Sequence, residues 1–242
     1  MAEVVVATHN PGKLVELRAI LEALAGAPEL VLRSSAELGL PVPAERGSSF
    51  AENARAKALQ AAAASGRAAI ADDSGLEVDA LGGAPGIGSA HYAGEGADAE
   101  ANNRKLLAAL AGVPWGRRTA RFRCAVALAV PVGAADEPGA GGAGTGGARI
   151  VAEAEGVLEG RIAEAPRGEA GFGYDPLFVP AGESRTLAEL GAAYKNRHSH
   201  RARALAALGE ALARLVPAAG GAAGRAGPGA AGVGERGAGP RG

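Results

Sequence analysis

Cysteine, methionine and tryptophan each occur once in the 242 residues, aromatic residues make up only 3%, and lysine is scarce beside arginine. A lone cysteine, Cys124, can form neither an internal disulfide nor a thiolate metal cluster, and its place in the apolar run 124–130 reads as a core position. No apolar stretch of about 18 residues is present, which excludes a membrane-spanning helix. The start, MAEVVVATHN, lacks the basic and small-residue flanks of a signal peptide, so a soluble, cytoplasmic protein is expected. A formal net charge of −1 supplies no basic field for a phosphate backbone, which argues against nucleic acid as a partner.

What the chain has in excess is glycine and proline, 39 and 14 residues, against a usual combined share of about 12%. The excess is concentrated in two stretches, 131–148 and 217–242. The first has a linker's composition and reads as a Gly-rich loop insertion, the second as a disordered Gly/Ala-rich tail. With 48% apolar residues, the remainder of 1–216 is long enough to bury a sizeable core as one domain, or as two lobes sharing a sheet.

A Val-rich run at 3–8 predicts a buried strand, broken at His9-Asn10-Pro11-Gly12 before a helix with Leu14, Leu17, Ile20, Leu21 and Leu24 on one face. A second strand is expected over 29–33. Ser48-Ser49 then open a long helix through 64, with Glu52 placed for a capping box on Ser49. The apolar segment 68–72 predicts another buried strand, ending at Asp73-Ser74-Gly75. A helix over 98–111 carries Asn102, Asn103, Arg104 and Lys105 on its polar side. Two long strands, 119–130 and 150–158, flank the insertion as a hairpin, and a short strand follows at 177–179. Thr186 opens a brief helix with Glu189 as its box partner, and Ser199 caps a final helix to 215. Strands alternating with helices, followed by a long hairpin, predict an α/β fold on a mixed sheet.

Several residues could carry chemistry. The loop Thr8-His9-Asn10-Pro11-Gly12-Lys13 joins a strand to a helix N-terminus, where unpaired backbone N–H groups and the helix dipole suit a phosphate; it is equally an ordinary turn with a surface lysine. The adjacent carboxylates Asp72 and Asp73 repel unless a cation or hydrogen-bond donors hold them, and Mg²⁺, with its taste for carboxylate and phosphate oxygens, is the natural counter-ion. An Asx-capped turn is the competing reading. Lys57 on a helix otherwise lined by alanine is a solvated charge or a phosphate ligand. The Gly-hinged loop Gly171-Phe172-Gly173-Tyr174-Asp175-Pro176 holds rings that stack on a base or fill a core. Ser199-His200-Arg201, just after Lys195, is a capped helix start or part of a site.

Taken jointly, these segments resemble the inosine/xanthosine triphosphate pyrophosphatase family. The resemblance runs through ATHNPGKLVEL (7–17), SFAENARAKA (49–58), ADDSGLEVDALGGAPGIGSAHYAG (71–94), RFRCAVAL (121–128), GFGYDPLF (171–178), TLAEL (186–190) and SHR (199–201). It implies an elongated two-lobed α/β protein on a long mixed sheet, with the active site in the inter-lobe cleft, acting as a homodimer. It further implies Mg²⁺-dependent hydrolysis of ITP, dITP and XTP to monophosphate and pyrophosphate. By the same resemblance, Thr8, His9, Asn10, Pro11, Gly12 and Lys13 form the triphosphate loop, with Lys57 and Lys195 as further phosphate contacts. Asp73 is the implied catalytic carboxylate and, with Glu45 and Asp72, a metal ligand. Ser74 touches the nucleotide, Phe172 stacks on the purine beside Gly173, and Tyr174, Asp175, His200 and Arg201 line the base pocket. The family usually has arginine where His91 stands. Two other readings are a haloacid-dehalogenase-type phosphatase, which needs D-x-D where this chain has adjacent aspartates, and a nucleotide-binding sensor without turnover. The tail falls in no shared motif, so deleting 217–242 is expected to leave turnover unchanged in a pyrophosphate-release assay.

Overall fold

The computed structural model describes residues 2–25, 30–41, 45–132 and 147–215. The expected tail 217–242, and all but the ends of the expected insertion 131–148, lie outside the described residues. The chain forms strands β1 (Ala2–Val6), β2 (Leu30–Ser34), β3 (Ala68–Val78), β4 (Thr119–Pro131), β5 (Ala148–Ile162) and β6 (Phe178–Pro180). They make one six-stranded sheet in the order β2-β1-β3-β4-β5-β6. The β1 pairings with β2 and β3 are parallel and the rest antiparallel, so the sheet is mixed, as expected. Next to the undescribed segment, Val132 N–H donates to Gly147 O at 2.8 Å, consistent with the expected hairpin.

The helices are α1 (Pro11–Ala25), α2 (Phe50–Ser65), α3 (Ala99–Ala109), α4 (Leu187–Leu190), α5 (Ala192–His198), α6 (His200–Ala207) and α7 (Gly209–Leu215). Proline sits at the first position of α1, where its missing N–H costs nothing, and Asn10 Oδ1 caps the turn by accepting Lys13 N–H at 3.1 Å. Thr186 and Glu189 form the expected reciprocal box at α4. At α2 only half of the expected box forms: Ser49 accepts Glu52 N–H, but the Glu52 carboxylate turns to Ser48 N–H at 2.7 Å. The expected single helix from Ser199 is broken at Leu208 into α6 and α7, and α5 was not anticipated. Leu24, expected on the buried face of α1, is 42% exposed.

The main departure concerns β3, which does not stop before Asp73. Residues 69–78 pair without interruption with 120–129 of β4, so the ladder carries Asp72, Asp73, Ser74 and Gly75 as strand residues despite their turn-like composition. Alternation then sorts their side chains. On one face, Ile70 joins a core under α1, α6 and α7, while Leu76 and Val78 join a second core with Leu106, Phe122, Leu158 and Phe178. Asp72 and Ser74 are the polar interval between these two cores. The two cores define two lobes on one long sheet, and the polar interval is their junction.

The other face is built from alanine. Ala54, Ala58, Ala61 and Ala62 of α2 pack on Ala69, Ala71, Ala125, Ala127 and Ala129 of β3 and β4. Side chains this small let the helix axis approach the sheet closely, which brings the next polar positions of α2 within reach of Asp73. Ala58 is fully buried there. Ala58→Leu must displace the helix, and is expected to destabilise the fold by about 1–3 kcal/mol, measured by urea unfolding.

Candidate active site

A cavity of about 870 Å³ opens at the lobe junction, within the range of small-molecule sites. Thr8, His9, Asn10, Pro11, Gly12, Lys13, Glu45, Lys57, Asp73, Ser74, Phe172, Gly173, Tyr174, Asp175, Lys195, His200 and Arg201 all line it. Among the residues expected at the site, Asp72 alone does not. His91 also faces the cavity, with Ile87 and Ala90 of the 3₁₀ segment Gly86–His91.

The loop between β1 and α1 is held by its own side chains. Thr8 Oγ1 accepts Asn10 N–H at 3.2 Å, and His9 Nε2 donates to Leu40 O at 3.1 Å. Gly12 lies directly against the Phe172 ring: a Cβ there would stand 2.8 Å from Phe172 Cδ1. The absence of a side chain is therefore what lets the aromatic loop close on the α1 N-terminus.

Asp73 faces α2. Its Oδ1 accepts from Lys57 Nζ at 2.8 Å and its Oδ2 from Asn53 Nδ2 at 3.0 Å. Lys57 Nζ also donates to Glu45 Oε1 at 2.7 Å, so one ammonium holds two carboxylates together. Burial pushes the Asp73 carboxyl above its ordinary value, with Lys57 working against the shift. Glu45 goes the other way: burial opposes ionisation, but Lys57 lowers its pKa overall. For Lys57 itself burial is again outweighed, here by Asp73, Asp72 and Glu45, which raise its pKa. Glu45 and Asp73 are hard oxygen donors of the kind a divalent cation shares with water and phosphate, so this pair fits such an ion. Among the described residues no group of three or more His, Cys, Asp or Glu side chains could hold a metal by itself.

Asp72, expected beside Asp73 on the metal, points to the opposite face of β3, its side chain fully buried. Its Oδ2 accepts from Arg201 Nε at 3.2 Å, Arg201 Nη2 at 3.1 Å and Ser74 Oγ at 3.2 Å, with Lys13 Nζ 3.4 Å away. Burial opposes its ionisation, yet Lys13, Arg201 and Lys57 hold its pKa far below the usual carboxylate range. The adjacent aspartates therefore do not share a cation, because strand alternation separates them.

Arg201 also donates to Ser74 Oγ at 3.0 Å and, through Nη1, to Glu16, leaving few N–H groups for a ligand. Glu16 pairs with Lys195 as well, and Lys195 donates to Asp175 Oδ2 at 2.6 Å. Each of the three cleft lysines is thus engaged by a carboxylate. Glu16 and Asn53 were not singled out from the sequence. The available signal for Glu16 was its place three residues after Lys13 and next to Leu17 on the buried side of α1; for Asn53 it was its place one turn before Lys57.

On the remaining wall, Lys195 Nζ stands 4.5 Å over the centre of the Phe172 ring. Asp175 Oδ2 accepts Phe172 N–H at 2.8 Å and so shapes the loop, while burial raises its pKa against the pull of Lys195. Tyr174 donates to Ser89 O at 2.8 Å. Asn103 Nδ2 donates to Gly173 O at 3.0 Å, and Asn102, expected on a polar face, is buried and holds Ala93 N–H and Ala90 O. His200 stacks on Phe122 with centroids 4.8 Å apart. Burial, then Arg201 and Lys195, drive its pKa well below the ordinary value, so its ring is neutral. Its contribution to stability is complete above about pH 6.5. Below that the unfolded chain takes a proton that folded His200 refuses, and stability falls by up to about 1.4 kcal/mol per pH unit. His200→Gln is expected to flatten this part of the pH dependence in urea unfolding series.

The sequence profile of the Ham1 family matches residues 4–211. The chain is 50% identical over 210 residues to a dITP/XTP pyrophosphatase of Thioalkalivibrio sulfidiphilus, covering 87% of this chain and 98% of the relative. It is 46% identical over 213 residues to a dITP/XTP pyrophosphatase of Bacillus subtilis, covering 88% and 98% respectively. Among solved structures, a HAM1 protein from Coxiella burnetii superposes with a TM-score of 0.72 at 38% identity, covering 88% of this chain and all of that one. A profile match across both lobes, with close relatives covered almost end to end, settles the question of kinship: the chain belongs to the Ham1 family.

Proposed function

We propose that the protein hydrolyses deaminated purine nucleoside triphosphates, dITP, ITP and XTP, to the monophosphate and pyrophosphate, with Mg²⁺ as the required cation. The observation that carries this reading is the convergence of Lys13, Lys57 and Lys195 with Asp73 and Glu45 on one cavity whose other wall presents Phe172. The dITP/XTP pyrophosphatases named above, near-complete in their match, support the same substrate class. We further propose a cytoplasmic homodimer with no nucleic-acid partner and no membrane association; no helix among the described residues is long and apolar enough to cross a membrane.

In this reading the triphosphate enters at the N-terminus of α1, where backbone N–H groups and the helix dipole favour anions. It competes with Asp72, Asp73, Glu45, Asp175 and Glu16 for the ammonium groups they now hold. Lys13 has the longest of these pairs, 3.4 Å to Asp72, and is the most readily drawn to phosphate. Asp73 orients and deprotonates the attacking water; a carboxyl whose pKa burial has raised is the better base. Glu45 and Asp73 would hold the divalent cation, which supplies charge neutralisation at the phosphates and the departing pyrophosphate. Asp72 keeps Arg201 and Lys13 in place from the other face.

Phe172 stacks on the purine. Against adenine the discriminating feature is the 6-keto group, a hydrogen-bond acceptor where adenine presents an amino donor; guanine shares that group, so its rejection does not rest on it. A buried donor facing adenine would lose its partner, at about 1–3 kcal/mol. Arg201 is largely committed to Glu16, Asp72 and Ser74, whereas His200 keeps Nδ1 without a partner. A nucleotide panel with pyrophosphate detection is expected to show release from ITP, dITP and XTP and little from ATP or GTP. Asp73→Asn should lower turnover by about 10²–10⁴-fold. Equal turnover of ATP, or orthophosphate in place of pyrophosphate, would overturn the proposal.

A further inference from the structure

Asn53 is 4% exposed and bonded at both ends of its carboxamide. Its Nδ2 donates to Asp73 Oδ2 at 3.0 Å, and its Oδ1 accepts Gly47 N–H at 2.8 Å. Gly47 belongs to the loop that carries Glu45, and Glu45 is tied to Asp73 a second time through Lys57. The connections form a closed ring: Asp73 to Lys57 to Glu45, along the backbone to Gly47, through Asn53 and back to Asp73. A carboxylate with one oxygen on Lys57 and the other on Asn53 cannot rotate about its last bond without breaking a hydrogen bond. Its remaining lone pairs are therefore aimed.

We propose that Asn53 is a positioning residue that sets the carboxylate of Asp73 and registers the Glu45 loop against it. This deepens the function proposed above and rests on Asp73 being the catalytic carboxylate. The side-chain chemistry is restrictive. The position needs an acceptor for a backbone N–H and a donor to an anion at once, and at this reach a carboxamide supplies both. An aspartate would keep the first bond and put a like charge against Asp73 in place of the second. The ring leaves no room on its loop side, since a Cβ on Gly47 would lie 2.7 Å from Asn53 Oδ1 and 2.8 Å from Glu52 Cβ.

The test separates the two ends of the amide by combining kcat and KM for ITP with hydrogen exchange of the Gly47 amide in the nucleotide-free protein. In Asn53→Ala both bonds are lost, so Gly47 exchange accelerates and kcat falls about 10–100-fold, the usual effect of removing a group that orients a site residue. In Asn53→Asp the Gly47 amide stays protected while kcat falls as far as in Asn53→Ala, with KM changed less than kcat. Wild-type kcat in Asn53→Asp, or a Gly47 amide that stays protected in Asn53→Ala, would overturn the inference. If Asn53→Asp does not fold, Gly47→Ala decides: it keeps every side chain of the ring and displaces the amide, so reduced kcat supports the inference and wild-type kcat overturns it. Asp73→Asn run alongside distinguishes the two proposals. An active Asp73→Asn removes the catalytic reading itself, whereas an inactive Asp73→Asn with an active Asn53→Asp removes only the role of Asn53.

Discussion

The ion pair between Arg201 and Asp72, residues only 1% and 2% exposed, is the interaction on which the cleft is assembled. Charges that far from water are tolerable only when paired and hydrogen-bonded, and removing one partner leaves a buried charge that costs about 3–5 kcal/mol. Neither residue can be satisfied by its own element. Asp72 on β3 needs α6, and Arg201 on α6 needs β3 and, through Glu16, α1. Lys195 on α5 extends the network to Asp175 and the aromatic loop. The N-terminal helix, the central strand and the C-terminal helices are thus drawn to one place by the requirement that no buried charge go unmatched. Such pairs add little net stability, but they leave few alternative arrangements.

Strand alternation divides the labour between the two aspartates. Asp72 spends its charge on the network that holds the cleft together. Asp73 faces an alanine-lined helix, whose close packing brings Lys57 and Asn53 into hydrogen-bond reach. The same two carboxylates acquire opposite pKa directions because Asp72 is ringed by cations while for Asp73 burial prevails over Lys57. In the cleft Lys13, Lys57 and Lys195 are each matched by a carboxylate, so under the proposed function an incoming triphosphate would exchange partners with groups in place. The matching of cations by carboxylates in the cleft is in keeping with the chain's net charge of −1.

Much of the fold was legible because its signals are local. The Val-rich run, the break at His9-Asn10-Pro11-Gly12 and the Thr186–Glu189 box each depend on neighbours a few residues away. Most residues that line the cavity could be picked out in the same way, since scarce lysines, an aspartate pair and a Gly-hinged aromatic loop stand out in a chain rich in alanine and glycine. The failures share one cause. Asp73-Ser74-Gly75 read as the end of the strand because their composition is turn-like, and only pairing with β4 makes them strand. Asn102 read as surface because nothing local shows that Ala90 and Ala93 will cover it.

The sequence by itself determined which groups are available to the cleft, the order of the elements that present them, and the family to which they point. It could not determine which carboxylate meets which cation. Arg201 and Asp72 are 129 positions apart, and Arg201 and Glu16 are 185 apart. Partners at that separation are chosen by packing, because only the assembled sheet and helices decide which charges lose their water and must find one another. That choice made Glu16 a central ligand of Lys195 and Arg201, made Asn53 a partner of Asp73, and turned two neighbouring aspartates to opposite faces of one strand.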